Sequence, residues 1–173
     1  MCLRIGPRCH VSCSSLTLLN GSQIAWVDNI RYLGVYLKCF RYFSCCFDHA
    51  KRSFFRSFNA IFGKIGRSAS EDTVLHLLKL KCLPCLLYAL EACPVNRTDV
   101  QSLEFTVTRV LMKIFKTNSK DIVIECKRYF GFRDVDELIT YKRKRAFLAA
   151  FNVNDNSICN VCKHAADRII AVS

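Results

Sequence analysis

Two Cys-x-x-Cys pairs are the first places where this sequence could hold chemistry, because thiolates at that spacing chelate zinc. They are Cys82-Leu-Pro-Cys85 and Cys159-Asn-Val-Cys162, with His164 two residues beyond the second pair. The first pair sits in a leucine-rich stretch, where buried thiols need no metal. The second, with His164, offers three of the four ligands that zinc takes, and no fourth follows. We therefore expect no metal site, with Cys159, Cys162 and His164 as the better of the two candidates. A thioredoxin-like role for either pair lacks the surrounding βαβ pattern.

Other catalytic constellations are absent from the pattern. Cys9 and His10 are chain neighbours, and no group is marked to orient the imidazole. Glu71-Asp72 and Asp136-Glu137 are the adjacent acids; both fall where helices should begin, so they complement a helix dipole. No glycine-rich phosphate loop occurs.

Cations carry the stronger signal. The chain of 173 residues holds 26 Lys and Arg against 14 Asp and Glu, a net charge of +12, and its pI is near 9.3. A positive field of that size attracts polyanions. Arg52, Arg56 and Arg67 share one side of a predicted helix, and Arg109, Lys113 and Lys116 share one side of another. With Lys64 they form the candidate nucleic-acid surface, since a polyanion groove needs repeated cations on elements anchored in a core. The run Lys142-Arg143-Lys144-Arg145 is a further basic patch, readable also as a nuclear-import or solubilising one.

The elements that must position these residues follow from periodicity. Hydrophobic residues make up 51% of the chain, which excludes a disordered polymer. Residues 15–37 alternate short β-formers with Asn20-Gly21 and Asp28-Asn29, predicting a small antiparallel meander with turns at those pairs. Within it, residues 30–37 read as one strand, with Leu33, Val35 and Leu37 facing inward. From Asp48 to Arg67 the apolar residues Ala50, Phe54, Phe58, Ile61, Phe62 and Ile65 predict an amphipathic helix, with Lys51 snorkelling from its apolar side.

Ser70 before Glu71-Asp72 is the cap of a second helix, through Leu75, Leu78, Leu83, Leu86, Leu87 and Leu90, kinked at Pro84. It should be the most buried element. Thr98 with Gln101 predicts a capping box for a third helix, whose seam is Val100, Leu103, Val107, Val110, Leu111 and Ile114. A shorter helix covers 120–130, and Asp134 with Glu137 opens a last one carrying Leu138, Phe147 and Leu148. The sum is an α+β chain, mainly α: a β-meander over 1–46, a helical bundle over 47–151 and a tail over 152–173.

Residues 1–9 lack the apolar stretch of a secretory signal, and the longest apolar run, Cys82 to Leu90, is interrupted by Pro84 and too short to cross a bilayer. The expectation is an intracellular protein, nuclear or cytoplasmic, with reduced thiols and no membrane partner. The sequons at Asn20 and Asn96 then read as a turn and a helix start.

Five blocks, in order, resemble one family. They are Leu3-Arg-Ile-Gly-Pro-Arg8, Asp28-Asn-Ile-Arg-Tyr-Leu-Gly-Val-Tyr-Leu37, the segment from Phe54 to Arg67, Leu83-Pro-Cys-Leu-Leu-Tyr-Ala-Leu-Glu-Ala-Cys93, and Val110-Leu-Met-Lys-Ile-Phe-Lys116. Together, from Leu3 to about Phe151, they look like the end of the reverse transcriptase of non-LTR, LINE-like retrotransposons of the jockey type; the tail has no counterpart. The resemblance implies that Tyr32, Leu33 and Gly34 match the primer-gripping hairpin at the palm's edge, and that the helices are a thumb. It further implies RNA, RNA–DNA hybrid or DNA duplex as partner. The family's aromatic-x-Asp-Asp motif, whose carboxylates hold two metal ions, should lie upstream of Leu3, with the fingers and most of the palm. Magnesium is then expected only in the complete polymerase, and this chain alone should bind template-primer without extending it. The rival reading is a Cys-rich zinc or protein-interaction module without catalytic activity.

Overall fold

The structure is a computed structural model that describes residues 1–66, 68–154, 156, 157, 160, 162, 163 and 168. It is an α+β chain, mainly α, with two small antiparallel sheets ahead of the helices. Strands β1 (Leu16–Thr17) and β2 (Gln23–Ile24) pair across the expected turn, where Gly21 has φ 80° and the Asn20 Oδ1 accepts from the Ser22 N–H at 3.1 Å. The second sheet has the order β3 (Asn29–Tyr32), β4 (Val35–Lys38), β5 (Cys45–Cys46).

Two expectations for this region are corrected. The meander is split, because β2 does not pair with β3, and Asp28-Asn29 is a strand entry rather than a hairpin turn. The predicted strand over 30–37 is itself a hairpin, folding at Leu33-Gly34, whose φ angles of 45° and 82° are those of a two-residue type I′ turn. Leu33 is accordingly 73% exposed, while Val35 and Leu37 pack against the core.

Helix α1 (Asp48–Ile65) buries Phe54 and Phe58 and rests Ile61, Phe62 and Ile65 on the core. Lys51 leaves the apolar side as expected, to Asp48 at 2.9 Å and Ser102 Oγ at 3.0 Å. The Lys51 bond to Asp48, with one from the Cys46 thiol, holds the Asp48 carboxyl below its ordinary pKa.

The leucine-rich segment begins as α2 (Glu71–Leu77), capped by the Ser70 side chain on the Thr73 N–H. It widens into a π turn over Leu78–Cys82 and resumes as α3 (Leu83–Leu86). The π turn is the form the kink takes: Pro84 has no N–H and its ring displaces the carbonyl one turn back, so the Leu83 N–H bonds five residues back to Leu78. All six expected leucines are buried, at 6% exposure or less.

Helix α4 (Arg97–Ile114) buries Leu103, Val107, Val110, Leu111 and Ile114. Its capping box is Asn96 with Asp99, not the expected Thr98 with Gln101: the Asn96 side chain accepts from the Asp99 N–H at 2.8 Å and Asp99 from the Asn96 N–H at 3.1 Å. Both pairs fit the spacing rule, and an adjacent carboxylate at the positive helix end is the stronger acceptor. Helices α5 (Lys120–Tyr129) and α6 (Val135–Val153) complete the bundle. In α6, Leu148 is buried and Leu138 half-buried, but Phe147 is 66% exposed and stacks on Phe151.

One buried cation ties the last three helices. The Lys127 ammonium of α5, 8% exposed, binds Glu104 of α4 and Asp134 at 2.9 Å, and Glu104 Oε2 accepts the Val135 N–H at 2.8 Å. Asp134 therefore stands at the N-cap of α6 but spends its carboxylate on Lys127, while Glu104 satisfies the helix end from across the bundle. Burial alone would lower the Lys127 pKa, but the two carboxylates outweigh it and the net shift is upward.

Lys127→Ala should cost about 2–3 kcal/mol, short of the value for a fully buried pair because the Asp134 side chain is 62% exposed. Urea unfolding measures it. A raised folded-state pKa stabilises fully below the unfolded value of 10.5 and is lost as pH climbs through the folded value. The gap between wild type and Lys127→Ala should thus hold at neutral pH and narrow in strong alkali.

Candidate nucleic-acid interface

The β3–β4 hairpin tip carries Tyr32, Leu33 and Gly34, and it is fastened to the helices by Tyr88, just past the end of α3. The Tyr88 hydroxyl donates to the Leu33 carbonyl at 3.2 Å. A Cβ placed on Gly34 would stand 3.2 Å from the Tyr88 ring, so glycine is needed there for both its φ of 82° and the close approach. Tyr32 and Leu33 at the tip are 64% and 73% exposed. Beneath the tip is a cavity of about 450 Å³ whose walls include Tyr36, His49 and Ser53, with the Tyr36 and His49 rings 5.2 Å apart.

Arg52 and Arg56 lie exposed on α1. Each is one turn along from a residue under the hairpin tip, Arg52 from His49 and Arg56 from Ser53, so hairpin and cations occupy adjoining surface. The Arg52 Nε bonds the Asp48 carbonyl at 3.3 Å.

The α4 stripe borders the same ridge. Lys51 reaches Ser102, and the Lys113 Nζ reaches Asn59 Oδ1 at 3.2 Å. These links advance together along both helices, so α1 and α4 run in the same direction with their basic rows alongside. Lys113 is held in this seam, its ammonium 5.6 and 5.2 Å from the Phe58 and Phe62 ring centroids. Arg109 lies 5.9 Å over Phe105, itself 56% exposed, giving a cation and an aromatic on one open face.

Lys116 falls past the helix, at φ 52°, where the Thr117 N–H closes back on the Met112 carbonyl at 3.1 Å; this is the position usually given to glycine. Lys64 is exposed, but its row on α1 is that of Ser53 and Ser57 rather than Arg52 and Arg56. Arg67 lies outside the described residues.

The run 142–145 divides. The Lys142 Nζ donates to the Leu87 carbonyl at 3.0 Å, and Arg143 donates to the carbonyls of Leu90 at 3.4 Å and Cys93 at 2.9 Å. These two satisfy backbone left open where the leucine-rich segment ends, a structural task invisible in the sequence. Lys144 and Arg145 are exposed.

Among the described cysteines, Cys9, Cys45, Cys82 and Cys93 are buried. Eleven are described, all with free thiols. Cys82 is fully buried and burial pushes its thiol to about 11, while the Cys85 thiol donates to the Lys81 carbonyl at 3.5 Å. Burial, then a hydrogen bond with Cys93, pushes Cys45 to about 12. Among the described residues no three His, Cys, Asp or Glu side chains are grouped as a metal site needs. Cys162 is exposed, and Cys159 and His164 lie outside the described residues. The pairs Glu71-Asp72 and Asp136-Glu137 both sit in exposed helix first turns, so neither fits the carboxylate cradle of a two-metal polymerase site. No described helix is long and apolar enough to cross a membrane.

Comparison with family models, with characterised proteins and with solved structures gave no match. The site therefore rests on its own geometry. Tyr88, Asn59 and Phe105 are the contributors that sequence reading missed. Tyr88 had one signal, a hydroxyl-bearing ring inside a run of leucines.

Gly34→Ala should cost about 1–2 kcal/mol, from a left-handed φ and a ring in the way. Tyr88→Phe, which loses only the hydrogen bond, should cost about 1 kcal/mol. Urea-unfolding midpoints would rank the two.

Proposed function

We propose that this chain holds a template-primer duplex, as the hairpin-and-thumb portion of a LINE-like reverse transcriptase would. The observation that carries the reading is an anchored hairpin tip over His49 and Ser53 of α1, with Arg52 and Arg56 one turn further along that helix and Arg109 and Lys113 across the α1–α4 seam. Cations fixed on packed helices neutralise phosphates with little loss of side-chain freedom, and the hairpin tip offers backbone and an exposed aromatic to a strand end.

Holding is the whole of the proposed activity. No adjacent Asp-Asp pair occurs in the sequence, so carboxylates for nucleotidyl transfer would come from other polymerase segments. The chain alone is expected to incorporate no nucleotide on a primed RNA template.

Affinity for a primer-template duplex should fall steeply as salt rises, because each neutralised phosphate releases condensed counterions. Arg52→Ala with Arg56→Ala should reduce the log–log salt slope by about 2 and weaken binding to every sequence alike. Absence of binding at low salt by a folded chain would end this reading.

Lys116→Gly separates fold from function at one position. It should raise unfolding stability by about 1 kcal/mol by relieving the left-handed lysine. It should also lower duplex affinity if the ammonium meets phosphate.

A further inference from the structure

On the other flank of α3 from the hairpin lies a groove of about 740 Å³. We infer that it is the docking site of an acidic, leucine-bearing peptide segment of a partner protein.

Its floor is apolar: Leu83 and Leu87 on one wall and Leu138 with Tyr141 of α6 on the other. Ala146 and Ala149 continue the α6 wall, and small side chains there leave room for a partner's backbone to come close. The rim is cationic, with Lys79, Arg133, Lys142 and Arg145 against a single acid, Glu91. Two of these cations are held in place, Lys79 by the Phe130 carbonyl at 3.1 Å and Lys142 by the Leu87 carbonyl. Arg133 sits 5.6 Å over the Tyr141 ring, and Arg145 is exposed.

Charge and apolarity together select the occupant. A bare polyanion would satisfy the rim and leave the leucine floor wet. A second copy of this chain would bring another +12 charge against the rim. An acidic segment with leucines on one side matches both features, in the manner of an amphipathic peptide laid into a groove. The size suits a few buried anchor side chains, within the range of about 300–1,000 Å³ typical of binding clefts. None of these residues belongs to the α1–α4 ridge, so this surface is independent of duplex binding.

The test uses fluorescence anisotropy with a synthetic peptide of about 14 residues, glutamate-rich with leucines at i, i+3, i+4 and i+7, and a scrambled control of the same composition. The patterned peptide should bind the full chain about tenfold more tightly than the scrambled one. Arg145→Glu with Ala149→Glu should abolish that margin and leave the affinity for a primer-template duplex within about twofold. Equal affinity for both peptides would reduce the groove to unspecific charge, and displacement of the peptide by duplex would make it a nucleic-acid surface; either result overturns the proposal. If the double variant loses its helical circular dichroism, methyl shifts on the wild-type chain decide: shifts at Leu83, Leu87 and Leu138 support the site, and shifts confined elsewhere overturn it.

Discussion

The burial of the leucine-rich segment, residues 74–90, is the constraint on which the remaining arrangement depends. Its side chains fill the centre of the core, so its path determines what can be attached around it. Pro84 makes that path irregular, widening the helix and then letting it stop at Leu86, with Ala89 in a left-handed conformation soon after. A helix that stops inside the fold leaves carbonyls without partners. Lys142 and Arg143 of α6 supply the donors. The same segment end presents Tyr88 to the hairpin. One irregular, buried element thus holds the sheet on one side and the last helix on the other.

A chain with net charge +12 must also keep its cations from opposing compaction. The structure does this by giving a subset of them internal work. Lys127 joins α4 to α5 and to the start of α6, Lys51 and Lys113 bridge the α1–α4 seam, and Lys142 and Arg143 close the leucine segment. Among the cations that stay exposed, Arg52, Arg56 and Arg109 lie around one ridge, and Arg133 and Arg145 line the groove. Two basic surfaces of different character emerge, one lying along helix faces and one with an apolar floor.

Features set by local periodicity were legible in the sequence, and features set by tertiary partners were not. The helical apolar rows, the Ser70 cap and the Asn20-Gly21 turn depend on neighbours within a few residues, and each is where the pattern puts it. The Leu33-Gly34 turn was unreadable from strand alternation because leucine is a poor residue for positive φ; the tip is held by Tyr88, 55 residues away. The choice of Asn96 over Thr98 as cap turned on two positions of register, which spacing rules do not resolve. The internal roles of Lys127 and Arg143 required knowing which helix ends face them. For the candidate site, cation type and row were legible, whereas the seam that holds Lys113 and the anchor under the hairpin were not.

Backbone strain gives an independent measure of which positions serve the fold. Among the described residues, three other than glycine adopt left-handed φ: Leu33, Ala89 and Lys116. Each such conformation costs about 1–2 kcal/mol relative to a residue suited to it. For Ala89 the packing supplies a reason, since its methyl group rests against the core. Leu33 and Lys116 have none of that kind, being exposed, and glycine or asparagine would serve the turn and the helix end better. Leu33 is an apolar tip on the hairpin and Lys116 a cation just past α4, so the two strained and exposed positions lie at the end of a turn and the end of a helix, where a positive φ closes the backbone.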